Sequence, residues 1–180
     1  MASKCTIFKT RLGVADLDRH YYAEHALTLA RHPSENDERL MVRLLAFALF
    51  ADERLEFGRG LSTEDEPALW LRDRAGDIKL WIDVGLPGER AIRRAAGRSE
   101  RVVVLAYGGR AVDVWWAKEG PALAGLAKLG VLGLAVEESA ALAGLAARGM
   151  DLQCTIQDGH VLLADGSRTV AIEPRRLTPA

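Results

Sequence analysis

The sequence has little of what marks a zinc, thiol or serine centre. Its two cysteines, Cys5 and Cys154, form no C-x-x-C pair, and its four histidines, His20, His25, His32 and His160, stand singly with no H-x-x-x-H among them. A structural zinc site needs such ligand pairs at fixed spacing, so none is expected, and the histidines receive no role. Ser62 and Ser99 lack the G-x-S-x-G turn that exposes a serine nucleophile, which sets aside the serine hydrolases. Lys4, Lys9, Arg11, Asp16 and Asp18 interrupt the first 20 residues, so no secretory signal is expected. The two lone thiols then read as reduced core residues of a cytoplasmic protein. The longest weakly polar stretch, PALAGLAKLGVLGLAVEESAALAGLAARG, is broken by Lys128, Glu137 and Glu138, and no membrane segment is expected. A net charge of −1 leaves any contact with nucleic acid to a local patch.

What is present suits a globular α+β chain. At 49% hydrophobic and 27% charged over 180 residues it can bury one core, and neither repeats nor low-complexity tracts divide it, so residues 1–180 read as one domain. TIFKTRLGV and YYAEHALTLARH, joined by the polar ADLDR, predict an N-terminal hairpin. Ser34 with Asp37 predicts the capping box of a helix running to about Phe50. Gly58 and Gly60 end a turn region after it. IKLWIDV predicts a strand and ERAIRRAAGR a short helix. RVVVLAY, Gly108-Gly109 and RAVDVWW predict a second hairpin, with adjacent Trp115 and Trp116 on opposite faces of its return strand. GVLGLAV predicts a buried strand and ESAALAGLAARG a helix. DLQCTIQ, HVLLA and SRTVAIE, separated by two Asp-Gly turns, predict a C-terminal β-meander.

The carboxylates carry the chemical signal. Segment 51–66 holds Asp52, Glu53, Glu56, Glu64, Asp65 and Glu66 against two arginines, a local charge of −4. Along the first helix Glu35, Arg39 and Arg43 make a charged i, i+4 stripe, while Glu38 falls on the arc of Met41, Val42 and Leu45 and points to the core side. In the strand Gly76–Val84, Ile78, Leu80, Ile82 and Val84 share one face, which puts Lys79, Trp81, Asp83 and then Gly85 on the other. An inward Glu38, Glu66 before ALWL, and Asp83 form a trio able to share a divalent cation. Five arginines follow between Pro87 and Arg101, namely Arg90, Arg93, Arg94, Arg98 and Arg101. They give that segment +3 and suit a phosphate backbone, with a plain solvated helix face as the alternative.

The runs YYAEHALTLARHPSENDERLMVRLLAFAL, EDEPALW, LWIDVGLP and TIQDG resemble the bacterial YaeQ family over nearly the whole chain. That family is similar in architecture to the PD-(D/E)xK nucleases, whose core runs helix, three strands, helix, strand. The resemblance implies a variation of that core with a mixed sheet, flanked by the N-terminal hairpin and the C-terminal meander. It puts the nuclease acids at Glu38, at Glu66 with Asp65 as rival, and at Asp83, with Gly85 where the catalytic lysine stands. Gln157, then Gln153, or an arginine of the following helix would have to replace that lysine. Lys79 is too distant, because four strand residues span roughly 13 Å. Two classes follow. One is a Mg²⁺- or Mn²⁺-dependent nuclease or phosphodiesterase with Glu38, Glu66 and Asp83 as metal ligands. The other is a non-catalytic module for nucleic acid or a protein partner, in which the acids form a polar network. Neither fixes an oligomeric state.

Overall fold

The structure, a computed structural model, describes residues 4–59 and 65–179. The expected hairpin opens it. In β1 (Thr6–Asp16) Phe8, Leu12 and Val14 are buried while Lys9 and Arg11 are exposed, and β2 (Tyr21–Arg31) returns antiparallel. Helix α1 (Asp37–Leu49) is capped by Asn36, whose side chain accepts the Arg39 N–H at 2.9 Å. Ser34 is two residues too early for that role, and its Oγ lies 2.7 Å from Nδ1 of His32 instead. From Leu40 to Ala48 every residue of α1 is buried, the pattern of a helix enclosed on all sides.

The enclosure comes from two sheets. The hairpin and the meander β8 (Gly149–Gln157), β9 (His160–Ala164) and β10 (Thr169–Ile172) join into a five-stranded sheet of order β10-β9-β8-β1-β2, with β1 and β8 parallel. The second sheet is built from β3 (Leu55–Phe57), β4 (Leu69–Arg72), β5 (Ile78–Val84), β6 (Val102–Ala106), β7 (Leu129–Gly133) and the short β11 (Arg175–Arg176). Its order is β11-β7-β6-β5-β4-β3, parallel through β5, β6 and β7 and antiparallel at both ends. The chain is thus α+β with two mixed sheets. Leu12, Leu29, Leu152 and Leu163 of the first sheet and Leu80, Ile82, Val84 and Leu105 of the second share one core with α1 and with Leu142 of α4 (Val136–Ala143). Fully burying each such side chain stabilises the fold by about 1.5–3 kcal/mol. Helices α2 (Glu89–Arg98) and α3 (Arg110–Leu123) cover the far face of the second sheet around Trp81, Val102, Val104 and Trp115.

Two expectations need correction. The segment RAVDVWW is the start of helix α3, not the return strand of a hairpin. Val112, Trp115 and Leu123 recur at helical spacing and are buried, whereas a strand would have buried alternate residues. Gly108 and Gly109, with φ of 127° and 67°, let the chain leave β6 and enter that helix, so β6 and β7 run parallel through a crossover. Trp115 and Trp116 consequently sit side by side, ring centroids 5.5 Å apart. Within the acidic segment read as a turn region, Leu55–Phe57 form the edge strand β3; Gly60, Ser62 and Glu64 lie outside the described residues.

Candidate functional site

The middle of strand β5, Leu80 to Ile82, is buried because packed layers lie on both faces, and Asp83 stands half-buried where that cover gives way to a cleft. It leaves the strand on the side of Trp81, which is 4% exposed, and the indole Nε1 donates to its Oδ2 at 2.9 Å. Burial holds its pKa above the ordinary 3.8, opposed by the Trp81 hydrogen bond, a backbone hydrogen bond at Ala68 and the positive charge of Arg39. Two residues on, the N–H of Gly85 donates to the Leu105 carbonyl at 3.0 Å, with φ at 103° and open space where a Cβ would stand. Backbone conformation, not crowding, accounts for glycine at this position.

Past the end of β5 opens a cleft of about 620 Å³. Arg39 and Arg43 of α1 wall one part, Arg90 and Arg94 of α2 another, and Glu66 and Asp83 face it as well. Arg90 and Arg94 are four residues apart on one helix face, both exposed, and neither has a carboxylate partner among the described residues. The α1 arginines are held differently. Glu35 accepts from Arg43 through Nε at 2.7 Å and Nη2 at 2.9 Å, and from Arg39 Nη1 at 3.0 Å. With side chains of Glu35 and Arg43 only 1% and 3% exposed, this is a buried ion pair.

The structure does not bring the predicted metal trio together. Glu38 sits on α1, across the second sheet from the Trp81 face, where its Oε2 accepts from Ser139 Oγ of α4 at 3.2 Å. Glu66 faces the cleft but accepts the Arg59 N–H at 2.9 Å. Asp65 is exposed, and its carbonyl accepts from Arg98 Nη1 at 2.9 Å. Among the described residues no three His, Cys, Asp or Glu side chains are placed to hold a metal ion, so Glu38, Glu66 and Asp83 do not fit a shared Mg²⁺ or Mn²⁺ centre. Gln157 and Gln153 are corrected more firmly. Both lie on the exposed face of β8, because Leu152, Cys154 and Ile156 take the core positions, and β8 belongs to the other sheet. Neither reaches the Asp83 cleft to replace a lysine. Arg93 also turns away, donating to Glu89 at 2.8 Å and to the Ala122 carbonyl of α3 at 2.5 Å.

The feature missed in the sequence is the inward Glu35–Arg39–Arg43 cluster. Its i, i+4 spacing was visible and its salt bridging foreseeable, but the spacing alone reads as a solvated stripe. The signal against that reading was the unbroken apolar run LLAFAL after Arg43, which marks a helix with no solvent side.

These features define a class: an α+β chain of two mixed sheets around a buried helix, with an arginine-walled cleft where β5 ends. The chain belongs to the YaeQ protein family, whose family model matches residues 1–174. It is 49% identical over 173 residues to the uncharacterized protein YaeQ of Salmonella typhi, covering 96% of each chain. It is 45% identical over 172 residues to the protein of the same name in Escherichia coli K12, covering 96% of this chain and 95% of that one. Among solved structures, the YaeQ protein of Xanthomonas axonopodis pv. citri superposes with a TM-score of 0.95 at 50% identity, over 98% of this chain and 100% of that one. The YaeQ protein of Pseudomonas syringae gives 0.93 at 36% identity, over 98% and 97%. No helix among the described residues is long and apolar enough to cross a membrane.

Proposed function

We propose that this chain is a nucleic-acid-binding module that takes a phosphodiester backbone in the cleft at the end of β5, without chemistry of its own. The observation that carries the reading is the set of arginines from two helices facing one cleft, two of them without carboxylate partners among the described residues. Guanidinium groups bind phosphate oxygens in paired, planar geometry, and contacts of this kind need no base sequence. Asp83, half-buried beside Trp81 with its ionisation disfavoured, serves as part of the polar network lining the cleft.

A second reading, a Mg²⁺- or Mn²⁺-dependent phosphodiesterase on a PD-(D/E)xK-like core, is favoured by one observation. Glu66 and Asp83 both face the cleft, and the elements from α1 to β6 run helix, three strands, helix, strand. Magnesium is often held by one or two carboxylates together with substrate phosphates.

Fluorescence anisotropy with labelled single- and double-stranded DNA and RNA across a salt series tests the proposal. Arg90→Ala and Arg94→Ala should each weaken binding for every sequence and lower the salt slope by about one, with EDTA making no difference. Equal affinity of the double variant and the wild type, or no binding at about 50 mM salt, would sink it. Cleavage that needs Mn²⁺ and disappears in Asp83→Asn would transfer support to the second reading.

A further inference from the structure

A second cavity, of about 810 Å³, lies beyond the carboxyl ends of β6 and β7 and shares no lining residue with the Asp83 cleft past the end of β5. It sits where the chain changes sides: β6 is followed by α3 on the Trp81 face of the sheet, while the adjacent β7 is followed by α4 in the core layer between the sheets. Neighbouring parallel strands whose outgoing connections part to opposite faces leave a crevice beyond their carboxyl ends, the usual place for a ligand in such sheets. The two connections diverge from near contact, since a Cβ on Gly109 would lie 3.4 Å from the Cβ of Val136.

The lining carries Arg110 and Arg175 against Asp113, Glu138 and Glu173, so the cation it offers a ligand is local, at Arg110. Glu138 is satisfied by the N–H groups of Ala135 at 2.7 Å and Glu173 at 2.5 Å. Asp113 is neutralised by Arg175 at 3.0 Å, and Glu173 lies 3.8 Å from His160 Nδ1. Arg110 is exposed and has no carboxylate partner among the described residues. The remaining wall is apolar, with Val112, Leu134, Val136 and Pro174. Cavities of roughly 300–1,000 Å³ that pair an apolar wall with a few polar groups are typical small-molecule sites.

We infer that this cavity binds a small organic anion, its phosphate or carboxylate head on Arg110 and its apolar body against Val112, Leu134, Val136 and Pro174. The inference is independent of the nucleic-acid reading, since it uses different residues. The full chain is titrated, by NMR of its methyl groups, with phenyl phosphate, phenylacetate and inorganic phosphate. At least one of the two aryl anions should bind saturably and more tightly than inorganic phosphate, and which of them binds identifies the head group. Its shifts should fall on Val112, Leu134 and Val136. Arg110→Ala should weaken it about tenfold or more, and Val136→Trp, which obstructs the cavity, should abolish it, while Arg90→Ala with Arg94→Ala should leave it unchanged. Arg110 is exposed, so its loss leaves the core intact, and each variant's fold is checked by its thermal melt. Absence of saturable binding by both aryl anions, shifts confined to the Asp83 cleft, or equal affinity in Arg110→Ala would overturn the inference.

Discussion

The indole of Trp81 and the carboxylate of Asp83 are joined at 2.9 Å on one face of β5, so a residue read as a metal ligand begins as the half-buried, hydrogen-bonded partner of a buried tryptophan. The pKa of Asp83 is raised above 3.8, chiefly by burial. A carboxyl with a folded pKa above its unfolded one binds its proton more tightly when folded. Its destabilising effect is therefore absent below pH 3.8 and grows as pH rises towards and through the folded value. Asp83→Asn removes that dependence. Its melting temperature should gain on the wild type between pH 4 and pH 7, and a difference that stays constant over this range would refute the assignment.

Gly85 makes a separate prediction from its φ of 103°. Nothing stands within 4 Å of where a Cβ would lie, so a side chain meets no clash and only the backbone resists. Gly85→Ala and Gly85→Lys should therefore cost a similar amount, about 1–2 kcal/mol, in chemical denaturation. A much larger loss for lysine would mean that space, not φ, selects glycine.

Thiol chemistry distinguishes the two cysteines. Burial, aided by the charge of Asp16, pushes the Cys154 thiol up to about 12, as a core thiol requires, while Cys5, also expected in the core, is exposed on the N-terminal segment before β1. Only thiolates react readily, so a disulfide reagent at pH 8 should label one thiol in the folded chain and the second only after denaturation. Rapid labelling of two thiols without denaturant would contradict the burial.

What could be read in advance followed from local periodicity. The N-terminal hairpin and the meander declared themselves through alternation and Asp-Gly turns, and both stand where expected. That they share a sheet depends on β1 meeting β8 more than 130 residues later, a pairing no local pattern encodes. Helix α3 was not legible because Val112, Val114, Trp115 and Trp116 have strand-like propensities, which the surrounding sheet and α2 override. At the site, the positions of Asp83, Arg90 and Arg94 were legible, since strand parity and helix spacing fix their directions, whereas Arg93 turns to Glu89 and α3 instead. Glu38 was not, because α1 is covered on every side and an inward direction no longer names one destination.

The same enclosure sets the last prediction, at Glu35. Its carboxylate holds the buried guanidinium of Arg43 through two hydrogen bonds and reaches Arg39 as well, while Arg43 also donates to the Ala30 carbonyl at 3.0 Å. Removing one partner of such a pair leaves the other charge buried and uncompensated, at a cost of about 3–5 kcal/mol. Glu35→Gln keeps the shape and one acceptor but loses the charge, so it should destabilise the fold by about 3 kcal/mol. Replacing the pair together, Glu35→Leu with Arg43→Met, should cost less than Glu35→Gln alone, because two apolar groups leave no orphaned ion. Denaturation curves of the three variants decide the matter. If the double variant is the least stable, the guanidinium of Arg43 contributes through its remaining contacts, the Ala30 carbonyl and the Phe57 ring 5.8 Å away, more than through Glu35.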